Sequence, residues 1–211
     1  MDDKWASNNL RTIRTLMERA ALYRRAMGPV LLVVGLTGIV AGVVGMSLTH
    51  RPALPAVGYW LVVAALCVAE ACWMIRLQAI RQREKFWSSP MRRIVQAVLP
   101  PFLTGLLASL PFAGLDLEPN QAALFILPGW MVLYGIGMHA AGFFMPRGFK
   151  LFGWLFILSG LLIFGGLLLL AQNDGRFSNM GVHALMGLFF GGGHLAYGLY
   201  LHFTEKRGTA P

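Results

Sequence analysis

The stretch AMGPVLLVVGLTGIVAGVVGMSL, Ala26–Leu48, decides the fold. It carries no ionisable side chain. The hydrocarbon core of a bilayer is about 30 Å thick, so a spanning helix needs about 20 apolar residues. This run meets that requirement. Five further runs of similar length follow it: Val57–Ile75, Ile94–Leu115, Ala122–Phe144, Leu151–Ala171 and Met180–Phe203. Only one carboxylate lies inside any of them, Glu70. Backbone polar groups in lipid must be satisfied internally, which leaves helices or closed barrels. Barrel strands are about ten residues of alternating polarity. These runs are longer and do not alternate, so they predict an all-α, polytopic integral membrane protein with six transmembrane helices.

Composition agrees. The chain has 211 residues, of which 56% are hydrophobic and only 13% charged. Disorder requires low hydrophobicity and high charge, and a soluble domain has about a quarter of its residues charged. Disorder is excluded, and the composition argues against a soluble globule. A cleaved signal is excluded too, because its apolar core is only about 7–15 residues long. Cys67 and Cys72 share one apolar run and match no disulfide or zinc spacing.

The net charge is +9, with Lys+Arg 18 against Asp+Glu 9. Its placement gives the topology. All Lys and Arg except Arg51 and Arg176 fall in residues 1–25, 76–93, 145–150 and the tail. Those segments lie on one side of a six-span chain. The positive-inside rule makes that side cytoplasmic and places both termini there. The basic excess is therefore an orientation signal, and a nucleic-acid partner is not expected.

The domain plan is a basic cytoplasmic or interfacial segment at 1–25, a bundle at 26–203 and a cytoplasmic tail at 204–211. Leu10, Ile13, Met17, Ala20 and Ala21 follow helical spacing. Arg11, Arg14 and Arg19 flank that stripe, with Arg24 and Arg25 beyond it. Arg81, Arg92 and Arg93 belong to the longest internal loop, where Pro90 should end any helix before it. These groups suit anionic lipid headgroups. A cytoplasmic protein partner is the alternative.

Small residues and histidines mark the helix faces. Gly35, Gly38, Gly42 and Gly45 share one face of the first run. Small residues let helices approach closely in lipid, within one bundle or across a homodimer. In the last run His183, Gly187, Gly191, His194, Gly198 and His202 fall within about 100° of arc if every residue turns by about 100°. Intramembrane polar groups face protein rather than lipid. At 1.5 Å per residue, Glu70 and His139 lie roughly 8 Å inside the cytoplasmic end and His194 roughly 13 Å.

Glu70, His139 and His194 thus form a candidate polar cluster, with three readings. They are hydrogen-bonded packing residues; or His139 and His194 bind a b-type haem, with His50 and His183 as a weaker outer pair; or Glu70 and the histidines form a proton or ion pathway. No metal site, phosphate loop or hydrolase motif is read.

Three stretches, LRTIRTLMERAALYRRAM (residues 10–27), MHAAGFFMPRGFKLFGW (138–154) and FFGGGHLAYGLYLHFTEKR (189–207), resemble a group of small bacterial multi-pass membrane proteins of unassigned function. The resemblance runs from near the N-terminus to the tail. Members of that group are often encoded near a transcriptional regulator. It implies a bacterial inner membrane and a regulatory or accessory role. The lack of catalytic motifs and of room for a soluble domain points to a sensory, regulatory or accessory protein without enzymatic activity.

Overall fold

A computed structural model describes residues 27–48, 55–81, 83, 86–112, 119–145, 147–172 and 179–205. The expected amphipathic segment with Arg11, Arg14, Arg19, Arg24 and Arg25 lies outside these residues, as do His50, Arg51 and positions 206–211 of the tail. Every regular element among the described residues is helical. The helices are α1 (Met27–Ser47), α2 (Ala56–Arg81), α3 (Ser89–Ser109), α4 (Pro119–Ala141), α5 (Arg147–Gln172), α6 (Asn179–Met186) and α7 (Gly193–Glu205). A 3-10 turn, Leu110–Phe112, extends α3. A π-helical segment, Gly187–Gly192, joins α6 to α7 into one continuous rod.

Among the described residues, five helical spans are long and apolar enough to cross a membrane: Met27–Ser47, Ala56–Arg81, Met91–Phe112, Gly148–Leu169 and Met180–Thr204. In α4 the apolar part is the shorter Phe125–Ala141, inside a helix of 23 residues. Outward-facing side chains are largely apolar. Leu162 is 76% exposed, Leu151 71% and Phe203 66%. A monomeric soluble protein rarely exposes contiguous apolar surface on this scale.

The helix ends follow local chemistry. α2 continues past the apolar run to Arg81. Arg83 then takes a left-handed backbone, φ 54°, and its N–H reaches back to the Ile80 carbonyl at 3.1 Å. That is a helix C-terminal turn. The sequence places the break at Pro90. In the structure Pro90 instead lies in the first turn of α3, after an extended Ser88. Proline is tolerated there because that N–H has no helical partner anyway.

α4 packs along α5, and α3 packs along the other side of α4. The α6–α7 rod sits against α4 and α5 on one side, through His194 and Tyr197. On its other side it meets α1. α2 closes against α1, α4 and α6. The main core joins Val30, Val34 and Ala41 of α1 to Trp60, Val63 and Cys67 of α2, Leu127 of α4 and Val182 of α6.

Candidate functional site

The sequence singles out a glycine face on the first span and a glycine-histidine face on the last. The structure sets parts of these faces against each other, antiparallel. A methyl group built on Gly42 would stand 2.8 Å from the Gly187 Cα, and one on Gly38 2.8 Å from the Gly191 Cα. One on Gly35 would meet the Leu195 Cα at 2.8 Å, and one on Gly198 the Leu32 nitrogen at 2.9 Å. Gly45 faces the His183 ring. The backbones touch along this seam, which only residues without a side chain permit. A second seam joins α4 to α5. There Gly135 faces the Ile157 backbone, Gly142 the Lys150 backbone and Gly153 the His139 backbone.

The histidines do not all share the α1 face. His183 does: its ring lies against Gly45, edge-on to Tyr59 at 5.2 Å between centroids. Trp60 Nε1–H donates to His183 Nδ1 at 3.2 Å. His194 points the other way, to α4 and α5. The uniform 100° per residue behind the single stripe fails across Gly187–Gly192, because a π-helix turns more slowly, with i→i+5 bonds. Residues beyond it are rotated relative to an α-helical extrapolation.

His194 is only 1% exposed. Its Nδ1 lies 2.6 Å from the Phe190 carbonyl. A carbonyl only accepts, so Nδ1 carries the hydrogen. Nε2 is then the acceptor, and the Tyr134 hydroxyl donates to it. Phe152, Phe156 and Phe190 surround the ring at centroid distances of 5.2, 5.6 and 4.4 Å. Both nitrogens of the ring are thus held by protein groups within an aromatic shell.

His139 sits on the α5 side of α4. Its Nδ1 is 3.5 Å from the Lys150 carbonyl, and its ring meets Phe143 and Trp154 edge-on. Lys150 Nζ lies over the Phe143 ring at 3.6 Å. Glu70 is half-buried on α2. The Thr37 hydroxyl of α1 lies 3.1 and 3.0 Å from its two oxygens. The bonds of Glu70, His139 and His194 therefore go to three separate sets of partners. Among the described residues, no group of three or more His, Cys, Asp or Glu is placed to hold a metal ion.

Sequence reasoning missed three partner residues: Thr37, Tyr134 and Trp60. Thr37 had a signal, being the one hydroxyl near the middle of Met27–Ser47. Tyr134 directly precedes Gly135 and was available as an intramembrane phenol. Of the basic residues, Arg81, Arg92 and Arg93 are exposed, and Arg93 lies 6.0 Å from the Phe144 ring centroid.

Among the described residues every regular element is helical, and five helices are long and apolar enough to cross a membrane. Comparison with family models, with curated proteins and with solved structures finds no match.

Proposed function

We propose that the chain is a six-span protein of a bacterial inner membrane with both ends cytoplasmic, acting as a non-enzymatic accessory or regulatory protein. Its basic cytoplasmic face meets anionic headgroups and offers the surface for a protein partner. Support for the sixth span comes from the 23 residues of α4, about 35 Å at 1.5 Å per residue. Support for the orientation comes from the clustering of Lys and Arg in alternate loops.

The observation that argues against the haem reading is the bonding of His194, while the non-enzymatic reading rests on the lack of a catalytic motif in the sequence. Tyr134 occupies Nε2 and the Phe190 carbonyl occupies Nδ1. A haem iron would have to displace Tyr134 from within a shell of aromatic rings. In this reading His194 is a packing group with both nitrogens satisfied, and His139 packs between Phe143 and Trp154 with its Nδ1 toward the Lys150 carbonyl. That use is what a bundle needs, because an unsatisfied polar group in hydrocarbon costs several kcal/mol, roughly.

Two experiments test this reading. With Cys67 and Cys72 replaced by Ala, a membrane-impermeant maleimide should label Leu117→Cys in intact cells and Ser89→Cys only after permeabilisation. The reverse pattern, or the same accessibility at both sites, overturns the topology. Reconstituted full-length protein should support no ion flux and no turnover. A flux abolished by His139→Ala would overturn the accessory reading in favour of a pathway.

A further inference from the structure

We infer that Thr37 and Glu70 form a proton-binding site near the middle of the membrane, reached from the lipid-facing side of α2. Three observations lead there. The first is depth. Thr37 lies ten residues from either end of Met27–Ser47, roughly 15 Å of helix in each direction. Bonding to Thr37 puts Glu70 at that same level, deeper than the 8 Å read from an α2 ending at Ile75. The second is access. Glu70 is half-buried, and Ala69, Cys72 and Trp73 beside it are exposed.

The third is hydrogen count. Thr37 Oγ1 is within 3.1 Å of both Glu70 oxygens, but a hydroxyl has one hydrogen to donate. That hydrogen can be shared between the two oxygens, and a proton on the carboxyl would add a second bond, donated to the Thr37 lone pair. A proton on Glu70 closes that ring. Three oxygens fall short of the six to eight that a cation such as Ca²⁺ takes.

The surroundings supply no counter-charge. α1 carries no ionisable residue between Met27 and Ser47. On α2 the neighbours are Tyr59, Cys67 and an exposed Arg76 almost two turns away. α4 brings Tyr134 and His139, and α6 brings His183. These bond to His194, the Lys150 carbonyl and Trp60 respectively. Among the described residues Thr37 is the one hydrogen-bond partner of Glu70. Intramembrane ionisable groups are functional candidates by default.

The inference rests on α2 crossing the bilayer but not on the accessory role. Its test reads one residue directly and is separate from loop labelling. Full-length protein in proteoliposomes is treated with dicyclohexylcarbodiimide, which is lipid-soluble. A protonated carboxyl adds across one C=N bond, and the acyl group then shifts to nitrogen, leaving a stable N-acylurea with no leaving group. Intact mass and peptide mapping should give one adduct, on Glu70, and Glu70→Gln should lose it. The rate should not respond to sodium at fixed pH. Thr37→Val, nearly isosteric, should raise the rate several-fold by releasing the carboxyl. Wild-type mapping decides the matter if a variant fails to elute as a single species. Labelling that spares Glu70, protection by sodium, or a rate unchanged in Thr37→Val would each overturn the proposal.

Discussion

Gly38 of α1 and Gly191 of the π-helical segment meet backbone to backbone: a methyl on Gly38 would stand 2.8 Å from the Gly191 Cα. This contact joins the first helix of the bundle to the last. Gly42 against Gly187 repeats it one turn toward the C-terminal end of α1.

Adding a side chain to this seam should force the helices apart. Gly38→Ala and Gly191→Ala are each expected to destabilise the protein by about 1–3 kcal/mol, the usual cost of overpacking. Gly129, Gly165 and Gly166 serve as controls, since a methyl there meets nothing within 4 Å. Alanine at those positions should be neutral or stabilising, because glycine inside a helix costs roughly 0.5–1 kcal/mol relative to alanine. Unfolding titrations in detergent compare the two sets. Equal effects at seam and control positions would contradict the packing described.

The Tyr134–His194 bond should be worth little by itself. Hydrogen bonds between membrane helices average about 0.6 kcal/mol. Tyr134→Phe keeps the ring and its contacts with Phe156 and Phe190, so a loss near that value is expected. His194→Ala empties a site enclosed by aromatic rings and should cost several times more. Denaturant midpoints of the two variants give the ratio. A larger loss from Tyr134→Phe than from His194→Ala would be inconsistent with a packing role.

α3 is fastened to the bundle mainly by α4. Trp130 Nε1–H donates to Ser109 Oγ at 2.6 Å and to the Gly105 carbonyl at 3.2 Å. Trp130→Phe removes the donor to both. Hydrogen exchange should then rise in α3 before it rises in α5 or α7, since local opening follows the weakest packing. Uniform acceleration across all helices would show that α3 does not open as a separate unit.

The amount legible in the sequence varied with the kind of regularity involved. Apolar length identified the runs, because bilayer thickness dictates it directly. Helical period put Gly35, Gly38, Gly42 and Gly45 on one face, and that face does contact a neighbouring backbone. Which helix it contacts was not legible, since periodicity carries no information about partners. The direction of His194 was misread because GLFFGG, residues 187–192, carries no local signature of π-helical winding. The end of α2 was misread, since the helix continues past the apolar run to Arg81. A helix boundary set by apolar residues alone misses a turn that is polar and still helical.

The central claim is that His194 is a packing group with both ring nitrogens already bonded. An absorption spectrum of full-length protein, purified after expression with ample haem, tests it most directly. The account predicts no Soret band in the wild type, and none in Tyr134→Phe, because the aromatic shell around His194 remains. A stoichiometric Soret band in the wild type that is lost in His194→Ala would contradict it.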